Sequence, residues 1–214
     1  MTAHHRLTPH LITDEAALRA WIGQPSPQTC LKISDRLNTQ TRQFIERCPF
    51  VCVATADAQG RCDLSPRGDP AGFVQILDDR TLLLPERPGN RLADTLRNLL
   101  ANPQLGLLFI VPGVTDTFRV NGRAVLTTDT ALLQPCAVDG KVPTLGILVD
   151  IEEAYTQCAK AFIRSALWDS RHHVDPALMP TGGQVLRAIQ GEAFDAEAYD
   201  AARAERYRQR QGFY

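Results

Sequence analysis

Between residues 50 and 157 the chain alternates short apolar runs with turn chemistry, a rhythm that excludes a helical bundle. The runs are "FVCVATA" (50–56), "RCDLSP" (61–66), "GFVQIL" (72–77), "RTLLLP" (80–85), "QLGLLFIV" (104–111), "DTFRVNGRAVLTT" (116–128) and "TLGILVDIEEAYTQ" (144–157). Asp57 to Gly60, Asp78-Asp79 and Pro112-Gly113 read as turns, and Gly122 inside the long run marks a bulge or kink. Neighbouring runs of this kind pair as an antiparallel meander. The pattern predicts a mainly β protein with flanking helices: a six-stranded antiparallel barrel, closed so that no sheet edge is exposed, with one helix inserted between the fourth and fifth strands.

That helix is written in "PGNRLADTLRNLLANP" (88–103). Leu92, Leu96, Leu99 and Leu100 fall at i, i+4, i+7 and i+8, the spacing of one buried face. Its opening is unusual in carrying Asn90 and Arg91. A cation there is unfavourable by a few tenths up to roughly 1 kcal/mol unless an anion lies between it and the helix dipole. An Asn cap followed by a solvated Arg explains the stretch without a ligand; a phosphate on the free first-turn amides explains it with one.

At 214 residues and 44% apolar content the chain can bury one core, in three parts: a helical extension (1–48), the barrel (49–157) and a helical C-terminal segment (158–214). Within the first part, Asp14 to Gly23 reads as a capped amphipathic helix, "GQPSPQT" as a loop and Asn38 to Arg47 as a second helix. A net charge of -1, with 23 Lys+Arg and no long basic cluster, argues against a nucleic-acid partner. No apolar run approaches the ~20 residues of a bilayer span, so no membrane role is expected and the location expected is the cytoplasm. The six cysteines form no C-x-x-C pair and are expected to be buried free thiols. The pairs His4-His5 and His172-His173 lack further ligands at metal spacing, and no metal site is expected.

"SPRGDPAG" (65–72) places Ser65, Arg67 and two glycines at a strand end, as a simple turn or as a ligand loop. The meander returns Arg67 and Arg91 to the same end of the sheet, where they can converge on one dianion. Each charge-assisted hydrogen bond there is worth roughly 1.5–3 kcal/mol. Arg119, Asn121 and Arg123 form a polar row on one strand face, which suits a groove or interface better than a barrel interior.

Together "SPRGD", "PGNRLADTLRNLLANP", "FRVNGRA" and "CAKAFIRSALWD" resemble the pyridoxamine 5'-phosphate oxidase-like flavoproteins, in particular a bacterial FMN-dependent branch, over about residues 30 to 170. The resemblance implies a split barrel that forms a homodimer, with FMN at the subunit interface and a small-molecule substrate. By matched position it implies that Arg67, Asn90 and Arg91 hold the FMN phosphate and that Ser65, Pro66 and Gly68 line the flavin edge. It places Arg119 and Asn121 in the same groove, and Lys160, Arg164 and Trp168 near the other subunit's cofactor. Lys160 and Arg164 also fit one solvated helical stripe, and Trp168 a core or interface aromatic. The chain departs from the vitamin oxidases at its C-terminal end, which lacks their Arg/Trp-containing segment, so vitamin oxidation is not expected. Catalysis in such proteins rests on the flavin, and no nucleophilic triad is visible. The functions implied are an FMN-dependent oxidoreductase or a non-catalytic protein that holds flavin, haem or deazaflavin, with His172 or His173 as a haem ligand in the latter case.

Overall fold

A computed structural model describes residues 10–214, which divide into two compact units, the first ending at Ile33 and the second running from Ser34 to Tyr214. His4 and His5 lie outside the described residues. In the first unit Asp14 caps α1 (Glu15–Ile22), its carboxylate accepting from Ala17 N at 2.8 Å, and Gly23 stops the helix at φ 74°. The segment read as a loop instead holds α2 (Pro27–Leu31). Ser26 caps it and Pro27 enters with its φ already helical, which is enough for one short turn.

The second unit begins with α3 (Thr39–Glu46), where Asn38 and Thr41 form a reciprocal capping box. Then follow β1 (Phe50–Ala56), β2 (Cys62–Gly68), β3 (Gln75–Ile76), β4 (Thr81–Pro85), α4 (Asp94–Ala101), β5 (Gln104–Ile110), β6 (Thr117–Thr127), α5 (Thr130–Leu133) and β7 (Gly146–Gln157). The C-terminal part carries α6 (Lys160–Ser165), α7 (Gly182–Gln190) and α8 (Ala196–Arg208).

The strands form one seven-stranded antiparallel sheet in the order β2-β1-β5-β6-β7-β4-β3, which corrects the expectation of six strands, of closure and of a meander, since β2 does not pair with β3 and β1 and β4 pair instead with the later β5 and β7. All seven runs pair, but the third contributes only two residues, because Pro70 and Gly72 precede it and Asp78-Asp79 turns the chain back. With β3 so short, β2 and β3 remain the two sheet edges, and the barrel is left split. Pro66 sits on the β2 edge, where its missing N–H costs no ladder bond.

The curved inner face is the core. Val51, Val53, Leu107, Phe109, Phe118, Val120, Ile147 and Val149 are all at most 1% exposed. Phe44 of α3 stacks on Phe118 at 5.7 Å, and Ile45 and Leu99 plug the interior from α3 and α4. Each such side chain contributes roughly 1.5–3 kcal/mol by leaving water. The outer face is different. The register aligns Pro66, Cys52, Leu108 and Arg119 in one row, with Leu64, Ala54, Gly106 and Asn121 in the next. Apart from Arg119 and Asn121 these rows are apolar, and Leu64 is 70% exposed.

The predicted bulge at Gly122 is present, whereas the opening of α4 departs from expectation. The bulge falls between Asn121 and Gly122, where a Cβ would lie 2.0 Å from Asp150 O, so no other residue fits without moving the strands. Gly89 needs no such freedom; Arg91 and Ala93 instead take the left-handed conformation, at φ 64° and 58°. The helix expected to open at Asn90 and Arg91 therefore starts at Asp94. Only half of its predicted apolar face is buried: Leu99 is, Leu96 is partly, while Leu92 and Leu100 face solvent. All six cysteines are free, but Cys30, Cys62 and Cys158 are exposed, so the expectation of burial holds for only part of the set.

At the other end of the sheet β7 runs past β4, whose pairing covers Gly146 to Asp150. Beyond it Ser34 and Ala154 exchange two backbone hydrogen bonds, at 3.1 and 2.6 Å.

Candidate functional site

β2 places Ser65 and Arg67 opposite Val53 and Val51, so their side chains leave the sheet on the core side, at its rim. The loop after β4 crosses the same rim. There Asn90 Oδ1 accepts from Leu92 N at 3.0 Å, an Asx turn that leads into the left-handed pair. A left-handed non-glycine residue costs roughly 1–2 kcal/mol, and two of them beside one cleft are stored strain. Helix α4 then opens with no side-chain cap, so the amides of Asp94, Thr95 and Leu96 have no intrahelical or capping partner.

Ser65, Arg67, Asn90, Arg91 and this first turn line one cleft of about 570 Å³. The two arginines named from sequence are thus brought to the same cleft, but they are not alike. Arg67 is mostly buried and occupied: Nε donates to Glu86 Oε2 at 3.1 Å, and Nη1 donates to Ser65 Oγ at 2.5 Å and Pro66 O at 3.1 Å. Arg91 makes no side-chain hydrogen bond or ion pair among the described residues. Arg67, Arg87 and Arg91 face Asp63, Glu86 and Asp94 across the lining, so its formal charges balance. Asp63 is held by Thr95, whose hydroxyl donates to it at 2.7 Å.

Gly68 lies in an adjoining cleft that shares Pro66, Arg67 and Asn90 with the first. Behind it Asp69, with a side chain 1% exposed, accepts from Arg87 Nε at 2.6 Å and from the Tyr214 hydroxyl at 2.7 Å. That carboxylate in turn pushes the Tyr214 phenol above its ordinary pKa, so the hydroxyl stays protonated and donating. Arg87 also donates to Cys136 O at 2.7 Å. Glu86, Arg87, Asp69 and Tyr214 were not among the site residues expected from sequence. Asp69 adjoins Gly68 and Arg87 lies just before the Pro88–Pro103 stretch, but nothing in local spacing signals their pairing across the chain.

The remaining candidates lie elsewhere on the chain. Arg119 and Asn121 stand on the outer face of the sheet, opposite to Ser65 and Arg67, so within one chain the two pairs share no groove. Arg119 Nη1 donates to the Tyr155 hydroxyl at 3.1 Å, and Asn121 Nδ2 to Glu153 Oε2 at 2.9 Å. Lys160 and Arg164 project from α6 without side-chain partners among the described residues. Trp168 packs its ring 5.7 Å from Phe162 and donates Nε1 to Val114 O at 2.9 Å. None of these five residues lines either cleft. Among the described residues no group of three His, Cys, Asp or Glu is placed to hold a metal, and no helix is long and apolar enough to cross a membrane.

The fold is thus a split antiparallel barrel whose rim cleft is lined by arginines and by the uncapped start of α4. Residues 37–158 match the pyridoxamine 5'-phosphate oxidase family, and the chain belongs to it. No curated protein matches. Among solved structures, Group A Streptococcus HupZ is similar at 19% identity and a TM-score of 0.46, covering 56% of this chain and 93% of that one. A Clostridium acetobutylicum protein related to general stress protein 26, of the pyridoxinephosphate oxidase family, is similar at 15% identity and a TM-score of 0.40, over 55% of this chain and 85% of that one. HutZ, the heme storage protein of Vibrio cholerae, is similar at 17% identity and a TM-score of 0.36, covering 55% and 89% respectively.

Proposed function

We propose that the chain binds FMN as a cytoplasmic homodimer and acts as an oxidoreductase on a small molecule. One observation carries this: Arg67, Arg91 and the uncapped start of α4 line a single cleft on a barrel of the pyridoxamine 5'-phosphate oxidase family. A cleft of about 570 Å³ lies within the roughly 300–1,000 Å³ common for such ligands. The donor chemistry fits a phosphate: an unpaired guanidinium, a buried one held ready by Ser65 and Glu86, and orphan amides. When bound, the flavin supplies the hydride-accepting ring.

The chain's own residues then divide the work. Arg91 is the mobile cation that closes on the phosphate, while Arg67 is fixed by Glu86 and Ser65 and supplies direction at little entropic cost. Asn90 holds the loop turn, and Pro66 and Gly68 present backbone to the ligand. The apolar outer rows, with Leu64 70% exposed, are the surface for a second copy. Such pairing is how Arg119, Asn121, Lys160, Arg164 and Trp168 come to face a cofactor. Purification tests the proposal: a yellow protein, or one that takes up FMN stoichiometrically, is expected. A colourless preparation that takes up none ends it.

A second reading of the same cleft is a non-catalytic holder of flavin, haem or deazaflavin. Anaerobic mixing of the loaded protein with NADH or NADPH separates the two, since rapid bleaching of the flavin rules out pure storage.

A further inference from the structure

The cleft beyond the Arg67–Glu86 pair has a volume of about 670 Å³. One wall is the barrel rim; the other is the C-terminal segment, with Arg206 and Tyr207 on α8 and Phe213 and Tyr214 after it. This second wall is pinned. The Tyr214 hydroxyl donates to buried Asp69, its ring lies within cation–π distance of Arg87 at 5.1 Å, and Lys141 Nζ donates to its backbone oxygen at 3.2 Å. A carboxylate 1% exposed would be costly to bury alone; Arg87 and Tyr214 together satisfy it, so the segment and the rim hold each other in place.

The charges inside the cleft are unequal. Arg67 is neutralised by Glu86 and Arg87 by Asp69, at 3.1 and 2.6 Å. Arg206 has no side-chain partner among the described residues. One unpaired guanidinium in a lining with four aromatic side chains, Phe73, Tyr207, Phe213 and Tyr214, suits a flat ligand with a single negative charge.

We propose that this cleft is a second binding site, for a small planar monoanion of the aromatic carboxylate class, with Arg206 as its charge partner and the pinned Tyr214 as its wall. The site adjoins the proposed flavin cleft and shares Pro66, Arg67 and Asn90 with it, but its Arg206 and its C-terminal wall belong to it alone. Calorimetric titration of the full chain with benzoate, benzamide and cyclohexanecarboxylate is the test. Benzoate is expected to bind, with the neutral amide and the non-planar acid at least about tenfold weaker. Arg206→Gln is expected to weaken benzoate at least about tenfold. Tyr214→Phe is expected to speed amide exchange over residues 206–214 and to weaken benzoate in parallel. Equal binding of benzoate and benzamide, wild-type affinity in Arg206→Gln, or unchanged exchange in Tyr214→Phe overturns the proposal. Loss of benzoate binding in saturating FMN also overturns it, by making the cleft the flavin's own. A chain that takes up no FMN yet binds benzoate through Arg206 refutes only the flavin proposal.

Discussion

Replacing Arg91 with glycine and with alanine separates two roles that this residue combines. Its backbone is left-handed at φ 64°, and its side chain has no partner among the described residues. Glycine removes a left-handed penalty of roughly 1–2 kcal/mol and adds an unfolded-state entropy cost of roughly 0.5–1 kcal/mol. Arg91→Gly should therefore be more stable than wild type by about 0.5 kcal/mol, whereas Arg91→Ala keeps the penalty and should be neutral within about 0.5 kcal/mol. Toward FMN the two should behave alike. Each loses a charge-assisted contact of roughly 1.5–3 kcal/mol, about tenfold to a hundredfold in affinity. Urea denaturation of the cofactor-free chain and fluorescence titration with FMN read the two quantities independently. Wild-type FMN affinity in Arg91→Ala would remove Arg91 from the phosphate site. Destabilisation of Arg91→Gly by more than about 1 kcal/mol would refute the account of strain.

Three further outcomes are expected. Gly122→Ala drives a Cβ to 2.0 Å from Asp150 O in the middle of the β6–β7 ladder, and should cost roughly 3 kcal/mol or more in urea denaturation. Gly183→Ala meets Ala196 O at 2.3 Å where α7 crosses α8, so amide exchange over residues 182–208 should rise while exchange in β1 and β5 stays slow. The Asp57 carboxylate accepts from Arg61 N at 2.9 Å, Arg61 Nε at 2.6 Å and Gln59 N at 2.8 Å, and these bonds hold it below the usual carboxylate range. A depressed folded pKa contributes stability above the unfolded value of about 3.9 and loses it as pH falls through the folded value. The thermal stability gap between wild type and Asp57→Asn should accordingly be open at pH 6 and begin to narrow only below about pH 4, closing as pH falls through the lower folded value.

Sequence revealed most where local chemistry decides structure. The capped helix at Asp14, the Asp57 to Gly60 turn and the Gly122 bulge follow from residue types acting on their own neighbours. It misplaced the start of α4 because the left-handed turn falls on Arg91 and Ala93, which have no intrinsic preference for it, and not on Gly89, which does. It misassigned Leu92 and Leu100 because 3.6-residue spacing marks an apolar stripe without saying whether the same chain covers it. The meander reading that brought Arg91 to Arg67 fails, since β2 and the β3–β4 pair stand at opposite edges of the sheet and only its curl brings both arginines to one cleft, although Arg67 itself was legible as a strand-end residue. Its neutralising partner Glu86 was not, nor was Asp69, because ion pairs across 18 or 19 residues depend on how the rim closes in space.

Ser34 acts as a bookend. By pairing with the amide and carbonyl of Ala154, it interrupts the row of backbone groups on which fibrils and runaway aggregates are templated. A single residue upstream of the sheet thus guards its longest strand, and a molecule whose chain is severed or peeled away there would lose a safeguard of solubility before losing any of its apolar core.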